Sequence, residues 1–135
     1  MTPTLQIAFD AADPHALARF WAAALGYEVE DHTAVVEGLL AAGHLGEADV
    51  LVDGDRRGFR DVATARGPGP RLFVQRVPEP KSAKNRVHLD LQVGPEEAPR
   101  RWSAWSRSAP GCCGRPPTAA RSPPPCATPR ATSSA

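Results

Sequence analysis

The chain has 135 residues, enough for one domain. Its net charge of +1 hides an asymmetry: all fifteen Asp and Glu lie in residues 1–97 beside ten Lys and Arg, a net of −5, whereas residues 98–135 carry six Arg and no acid. No apolar run approaches the roughly 20 residues of a membrane-spanning helix, and no basic n-region leads into an apolar h-region. A cytoplasmic protein with no membrane partner is therefore expected.

The first element is a strand. In "LQIAFDA", Leu5, Ile7 and Phe9 alternate with Gln6, Ala8 and Asp10, giving one apolar face. Asp13 is placed to cap a helix and Pro14 fits its first position, where no N–H is required. Leu17, Phe20, Trp21, Ala24 and Leu25 then recur at helical spacing, so Phe20 and Trp21 are expected in the core. Gly26 can take the left-handed conformation that ends the helix.

"YEVE" resumes as a strand, and "TAVVEGLLAAG" predicts a second short helix stopped by Gly43. "GEADVLVDGDRRGF" is mixed, with a turn at Asp53-Gly54. "FRDVATA" predicts a strand, "RGPGP" a break and "RLFVQRV" another strand. "PEPKSAKN" is a polar connection. In "RVHLDLQV", Val87, Leu89, Leu91 and Val93 face one way, and His88, Asp90 and Gln92 the other. The first and last of these strands share a phase: Gln6 matches His88, Ala8 matches Asp90 and Asp10 matches Gln92. The last strand is placed as the start of a second copy of the first unit, an internal repeat that bears on the fold.

Two strings carry a family resemblance: "AADPHALARFWAAALGYEVE" and "PRLFVQRVPEPKSAKNRVHLDLQV". Over about residues 4–97 the chain resembles the glyoxalase-like proteins of the vicinal oxygen chelate superfamily, in a form common among actinobacteria. The resemblance implies an α+β fold of βαβββ modules whose sheets curl into a bowl around a small-molecule site. Module one would span about 4–77, the connection 78–85 and the start of module two 86–97, so the chain would hold one module plus the first strand of a second.

The metal enzymes of that superfamily carry a ligand on the first strand of each module and a glutamate on the last. By position, the resemblance puts these ligands at Gln6 and His88, with Phe73 or Gln75 where a glutamate is wanted. With His88 as the one imidazole, the set is incomplete for a divalent metal, which takes three or more N or O ligands. The bowl-face pocket it implies is Gln6, Asp10, Phe73, Gln75, His88 and Asp90. Its catalytic residues are left unassigned. A general base at Asp10 or Asp90 stands beside the plainer reading of a structural hydrogen bond. Lys81, Lys84, Asn85 and Arg86 read as a solvated linker or as a greeting for an anionic substrate. The remaining histidines, His15, His32 and His44, receive no role.

Residues 98–135 do not continue the pattern. A reading frame slipped near residue 98 turns "WSAWSRSAP" into "xERLVALGA", an amphipathic helix ending in Leu-Gly as module one does. The same slip allows "CATPRATSSA" to read "MRDPEGNEFC", similar to the turn-and-strand signature "DPEGNEF" that closes such modules. Synonymous codons were chosen to obtain these strings, so they establish compatibility. The expectation is an off-frame, disordered tail with few large apolar side chains to offset its ordering entropy. Cys112, Cys113 and Cys126 all fall there, without the spacing of a disulfide framework or a zinc site. Its arginines form no recognisable nucleic-acid module, so no nucleic-acid partner is expected.

Three functions stay open. One is a glyoxalase-like small-molecule-binding domain, a lyase, isomerase or dioxygenase relative with a degenerate metal site. Another is a non-catalytic binding or resistance protein that sequesters a small organic ligand. The third is a truncated product without function. The partners implied are a small-molecule ligand and, for the intact family member, a second copy in a homodimer.

Overall fold

The alternation of "QIAFDA" becomes strand β1 (Gln6–Ala11), its odd-numbered residues half-buried and its even-numbered residues exposed. The computed structural model describes residues 2–97 and 99–100. The chain divides after Pro80 into two units.

In the first unit β1 leads into helix α1 (Pro14–Leu25). The helix starts as the sequence requires: Asp13 Oδ1 accepts from the backbone N–H of Ala16 at 2.9 Å, and Pro14 opens the first turn. It ends at Gly26, whose φ of 68° is left-handed backbone. A short strand β2 (Glu28–Val29) follows, then helix α2 (Thr33–Ala41) and a 3-10 turn (Glu47–Asp49). Strands β3 (Val50–Asp53) and β4 (Arg56–Phe59) form an antiparallel hairpin. Gly54 takes φ 60° in its two-residue loop, a conformation that tight hairpins demand. Strands β5 (Val62–Arg66) and β6 (Arg71–Arg76) complete the unit.

β1, β6, β5 and β2 make one sheet in that order, with β1 and β6 parallel and the other pairs antiparallel. Helix α1 covers one face. Ala18, Ala63 and Val74 form a buried cluster joined by Phe9, Ala11 and Leu17. The small side chains of Ala18, Ala63 and Ala65 let helix and sheet approach closely. Phe9 stacks on Trp21 with ring centroids 5.6 Å apart, and Phe20 meets Trp21 edge-on. Leu72 and Val74 of β6 are fully buried; burial of one such side chain stabilises the fold by roughly 1.5–3 kcal/mol.

Several boundaries differ from expectation. "FRDVATA" is not one strand: Phe59 ends β4, Arg60 and Asp61 turn, and β5 begins at Val62. Arg60 forces this break. Its backbone N–H donates to Asp49 and its guanidinium to the carbonyls of Ala48 and Val50, pinning the chain to the 3-10 turn. The break "RGPGP" has a tertiary cause besides its turn chemistry. The Tyr27 ring lies against Gly67 and Gly69, where any Cβ would collide with it.

In the second unit the strand predicted over residues 86–93 does not form; Leu91 alone makes an isolated bridge. Strand geometry persists only where a neighbouring strand satisfies its N–H and C=O groups, and no further strand of that unit lies among its described residues. Leu89, Leu91 and Val93 are half-buried and His88, Asp90 and Gln92 exposed, so the alternation survives without a ladder. Val87 is 79% exposed. The predicted disordered, off-frame tail lies outside the described residues, apart from Pro99 and Arg100. Among the described residues no helix is long and apolar enough to cross a membrane.

Candidate functional site: the open face of the sheet

Strand parity decides which side chains share the face that α1 leaves open. The register pairs Gln6 with Arg71, Ala8 with Phe73 and Asp10 with Gln75 across β1 and β6. Phe73 pairs with Thr64 and Gln75 with Val62 across β6 and β5. Since alternate residues point the same way, Gln6, Asp10, Phe73 and Gln75 stand together on one face, as the resemblance implied. Two of them bond to each other: Gln75 Nε2 donates to Asp10 Oδ1 at 2.8 Å.

The centre of the face belongs to residues that the sequence reading missed. Glu30 follows β2, and its backbone N–H donates to the carbonyl of Thr64 at 2.9 Å. Arg71 Nε donates to Glu30 Oε2 at 2.6 Å, while Arg71 Nη1 donates to Gln6 Oε1 at 3.0 Å. Arg66 Nε donates to the second carboxylate oxygen at 3.0 Å. The Glu30 and Arg71 side chains are only 21% and 28% exposed, so this pair is screened less than a surface pair. Burial pushes the Glu30 carboxyl up. Hydrogen bonds from Thr64, Arg71 and Arg66 and the charge of Arg71 outweigh it, leaving a value of about 2. Glu30 is therefore a fixed anion holding two guanidinium groups.

One further bond leaves this hub. His32 Nε2 lies 2.7 Å from Thr64 Oγ1. Next to it the Asp31 carboxyl is held below its ordinary value, first by the Thr33 hydroxyl and then by the Thr33 backbone N–H. Parity alone could have flagged Arg71, since "RLFVQR" puts it in phase with Phe73 and Gln75. Glu30, His32 and Thr64 meet only through tertiary pairing. His88 and Asp90 belong to the second unit, where both are exposed.

The superfamily's metal site does not fit these residues. Gln6 Oε1, at the first-strand ligand position, already accepts from a guanidinium. Phe73 offers no donor atom, and Gln75 offers one neutral amide oxygen, its nitrogen donating to Asp10. Arg71 is a permanent cation where a divalent ion would need anionic ligands. Among the described residues no group of three or more His, Cys, Asp or Glu converges to hold a metal ion.

Residues 6–107 match the family model of the glyoxalase-like domain. The chain belongs to that family. The match runs ten residues past the boundary drawn at residue 97. Among solved structures the chain is similar to a glyoxalase/dioxygenase from Nostoc punctiforme, at 20% identity and a TM-score of 0.45, over 84% of this chain and 77% of that one. It is also similar to TioX from Micromonospora sp. ML1, at 12% identity and a TM-score of 0.36, over 79% of this chain and 72% of that one. No curated protein matches.

Proposed function

We propose that this glyoxalase-like domain binds a small organic molecule on the open face of its four-stranded sheet, without a divalent metal ion. The observation that carries the reading is the Arg71 guanidinium seated between Gln6 and Glu30. It holds a positive charge at the position where a metal ligand set would converge. The same face offers an aromatic surface at Phe73 and polar groups at Gln6, Asp10 and Gln75, the mixture that small-molecule sites use. Non-catalytic binding, of the kind that sequesters a ligand, follows more simply from this set than turnover does.

His88 and Asp90 belong to the proposal as groups that reach the ligand only when a complete second module carries them. The protein is proposed to act in the cytoplasm and to pair with a second copy. β1 supports pairing, because it ends the sheet and its outer edge has no strand partner among the described residues.

Elemental analysis of the full chain, followed by an assay of the methylglyoxal–glutathione adduct with and without added Zn²⁺ or Ni²⁺, tests the reading. The expected result is substoichiometric metal and no metal-dependent turnover. Stoichiometric metal with turnover would overturn it in favour of a lyase or isomerase.

A further inference from the structure

The open face of the sheet carries opposite charge at its two ends. Along β1 and β6 the register makes three rows: Gln6 beside Arg71, Ala8 beside Phe73, and Asp10 beside Gln75. A strand rises about 3.3 Å per residue, so the outer rows stand about 13 Å apart.

The first row holds a surplus of positive charge. Arg71 and Arg66 share one carboxylate, Glu30 Oε2 accepting from Arg71 and Glu30 Oε1 from Arg66. Both carboxylate oxygens are thus engaged, and two guanidinium groups against one acid leave a positive charge unbalanced. A guanidinium has five N–H donors. Arg71 uses Nε on Glu30 and Nη1 on Gln6, while Arg66 uses Nε alone. Nη2 of each has no partner among the described residues.

The last row is the reverse. Asp10 accepts from the Gln75 amide, which is neutral, and no cation lies beside the carboxylate among the described residues. Arg76 does not serve it, because it stands one residue out of phase with Gln75 and pairs with Asp61 at 2.9 Å. Between the two rows lies a short apolar floor of Ala8 and the half-buried Phe73. Thr64 is paired with Phe73 and would extend that floor, but it is buried and its hydroxyl meets His32.

A ligand that balances both ends must carry both charges. One aromatic ring matches the floor and can stack on Phe73. With a short arm, and a hydrogen bond of about 3 Å at each end, it fills the span. A molecule with the same charge at both ends would meet repulsion at one of them. We infer that the open face selects a flat aromatic zwitterion, its anionic group on the Arg71 and Arg66 guanidinium groups and its cationic nitrogen on Asp10. The inference rests on the sheet-face reading and adds the charge pattern of the ligand.

Titration of the full chain with 4-(aminomethyl)benzoate at neutral pH, followed by backbone amide shifts, tests it. Saturable shifts at Gln6, Asp10, Phe73 and Gln75 are expected. para-Toluate, which lacks the amine, should bind about fivefold more weakly, the effect of one exposed ion pair. 4-Methylbenzylamine, which lacks the carboxylate, should bind about tenfold more weakly, because Arg71 is half-buried and its hydrogen bond is charge-assisted. Asp10→Asn should erase the zwitterion's advantage over para-toluate, and Arg66→Gln should reduce its advantage over 4-methylbenzylamine. Both side chains stand at the surface, so these variants keep the fold. Equal affinity for the zwitterion and either singly charged probe, at the same residues, would overturn the inference and leave the sheet-face reading standing. The absence of saturable shifts with the zwitterion would also overturn it, whereas the sheet-face reading stands or falls on the metal analysis and turnover assay.

Discussion

Residues 6–11 and residues 88–93 begin with nearly the same pattern and end differently. "QIAFDA" is an edge strand held on one side and one face: β6 pairs with it along its length, and α1 covers its apolar face. "HLDLQV" has the same phase of apolar and polar residues, yet only Leu91 makes a bridge. The difference teaches that alternation marks which face a strand would bury, and that partners decide whether the strand exists. The backbone of residues 88–93 has no ladder to repay its ordering cost of about 1–2 kcal/mol per residue.

The sharpest way to break the comparison is to supply the missing partners. Moving the reading frame after codon 97 to the alternative one should yield a second module. Amides of residues 86–93 should then gain hydrogen-exchange protection approaching that of β6, a change on the scale of the roughly 5–15 kcal/mol that separates folded from unfolded domains. The nucleotide sequence after codon 97 gives an independent check; genomic DNA that encodes residues 98–135 intact and in frame would sink the off-frame proposal.

A smaller effect separates the two regions within the present chain. Leu72→Ala removes a fully buried side chain from β6, and chemical denaturation should show a loss of about 2–5 kcal/mol. Val87→Ala removes a side chain that is 79% exposed, and the change should stay within about 0.5 kcal/mol. Comparable losses at the two sites would mean that residues 86–93 are packed after all.

The smallest expected effect concerns acid stability. The Glu30 carboxyl drops from an ordinary 4.5 to about 2 in the folded chain. Its contribution is therefore fully present above about pH 4.5 and is lost as the pH falls towards 2. Glu30→Gln should flatten that acid limb in a series of melts across this range. It should cost about 1 kcal/mol at neutral pH, since Arg66 is largely exposed and water screens its share. An unchanged acid limb would show that the hub does not hold the face together.

Much of the first unit was legible in the residues. The cap at Asp13, the stop at Gly26 and the apolar stripe through Phe20 and Trp21 are local signals, and each appears where expected. The shared face of Gln6, Asp10, Phe73 and Gln75 was legible once the family pattern set which strands meet. The central ion pairs were not. Glu30 and Arg71 are 41 residues apart; each lies in one of the two strings that carry the resemblance, but nothing local in either string pairs them.

The local elements and their faces follow from the residues alone, because capping, proline and glycine conformations and side-chain parity act over a few residues. The residues also locate the break in character near residue 97. The rest emerged only from the folded arrangement. It showed that the Arg71 guanidinium bridges Gln6 and Glu30, that the His32 imidazole meets the Thr64 hydroxyl, and that residues 86–93 lack a ladder. These outcomes depend on strand order and register, which bring distant hydrogen-bonding groups to within about 3 Å or leave them apart.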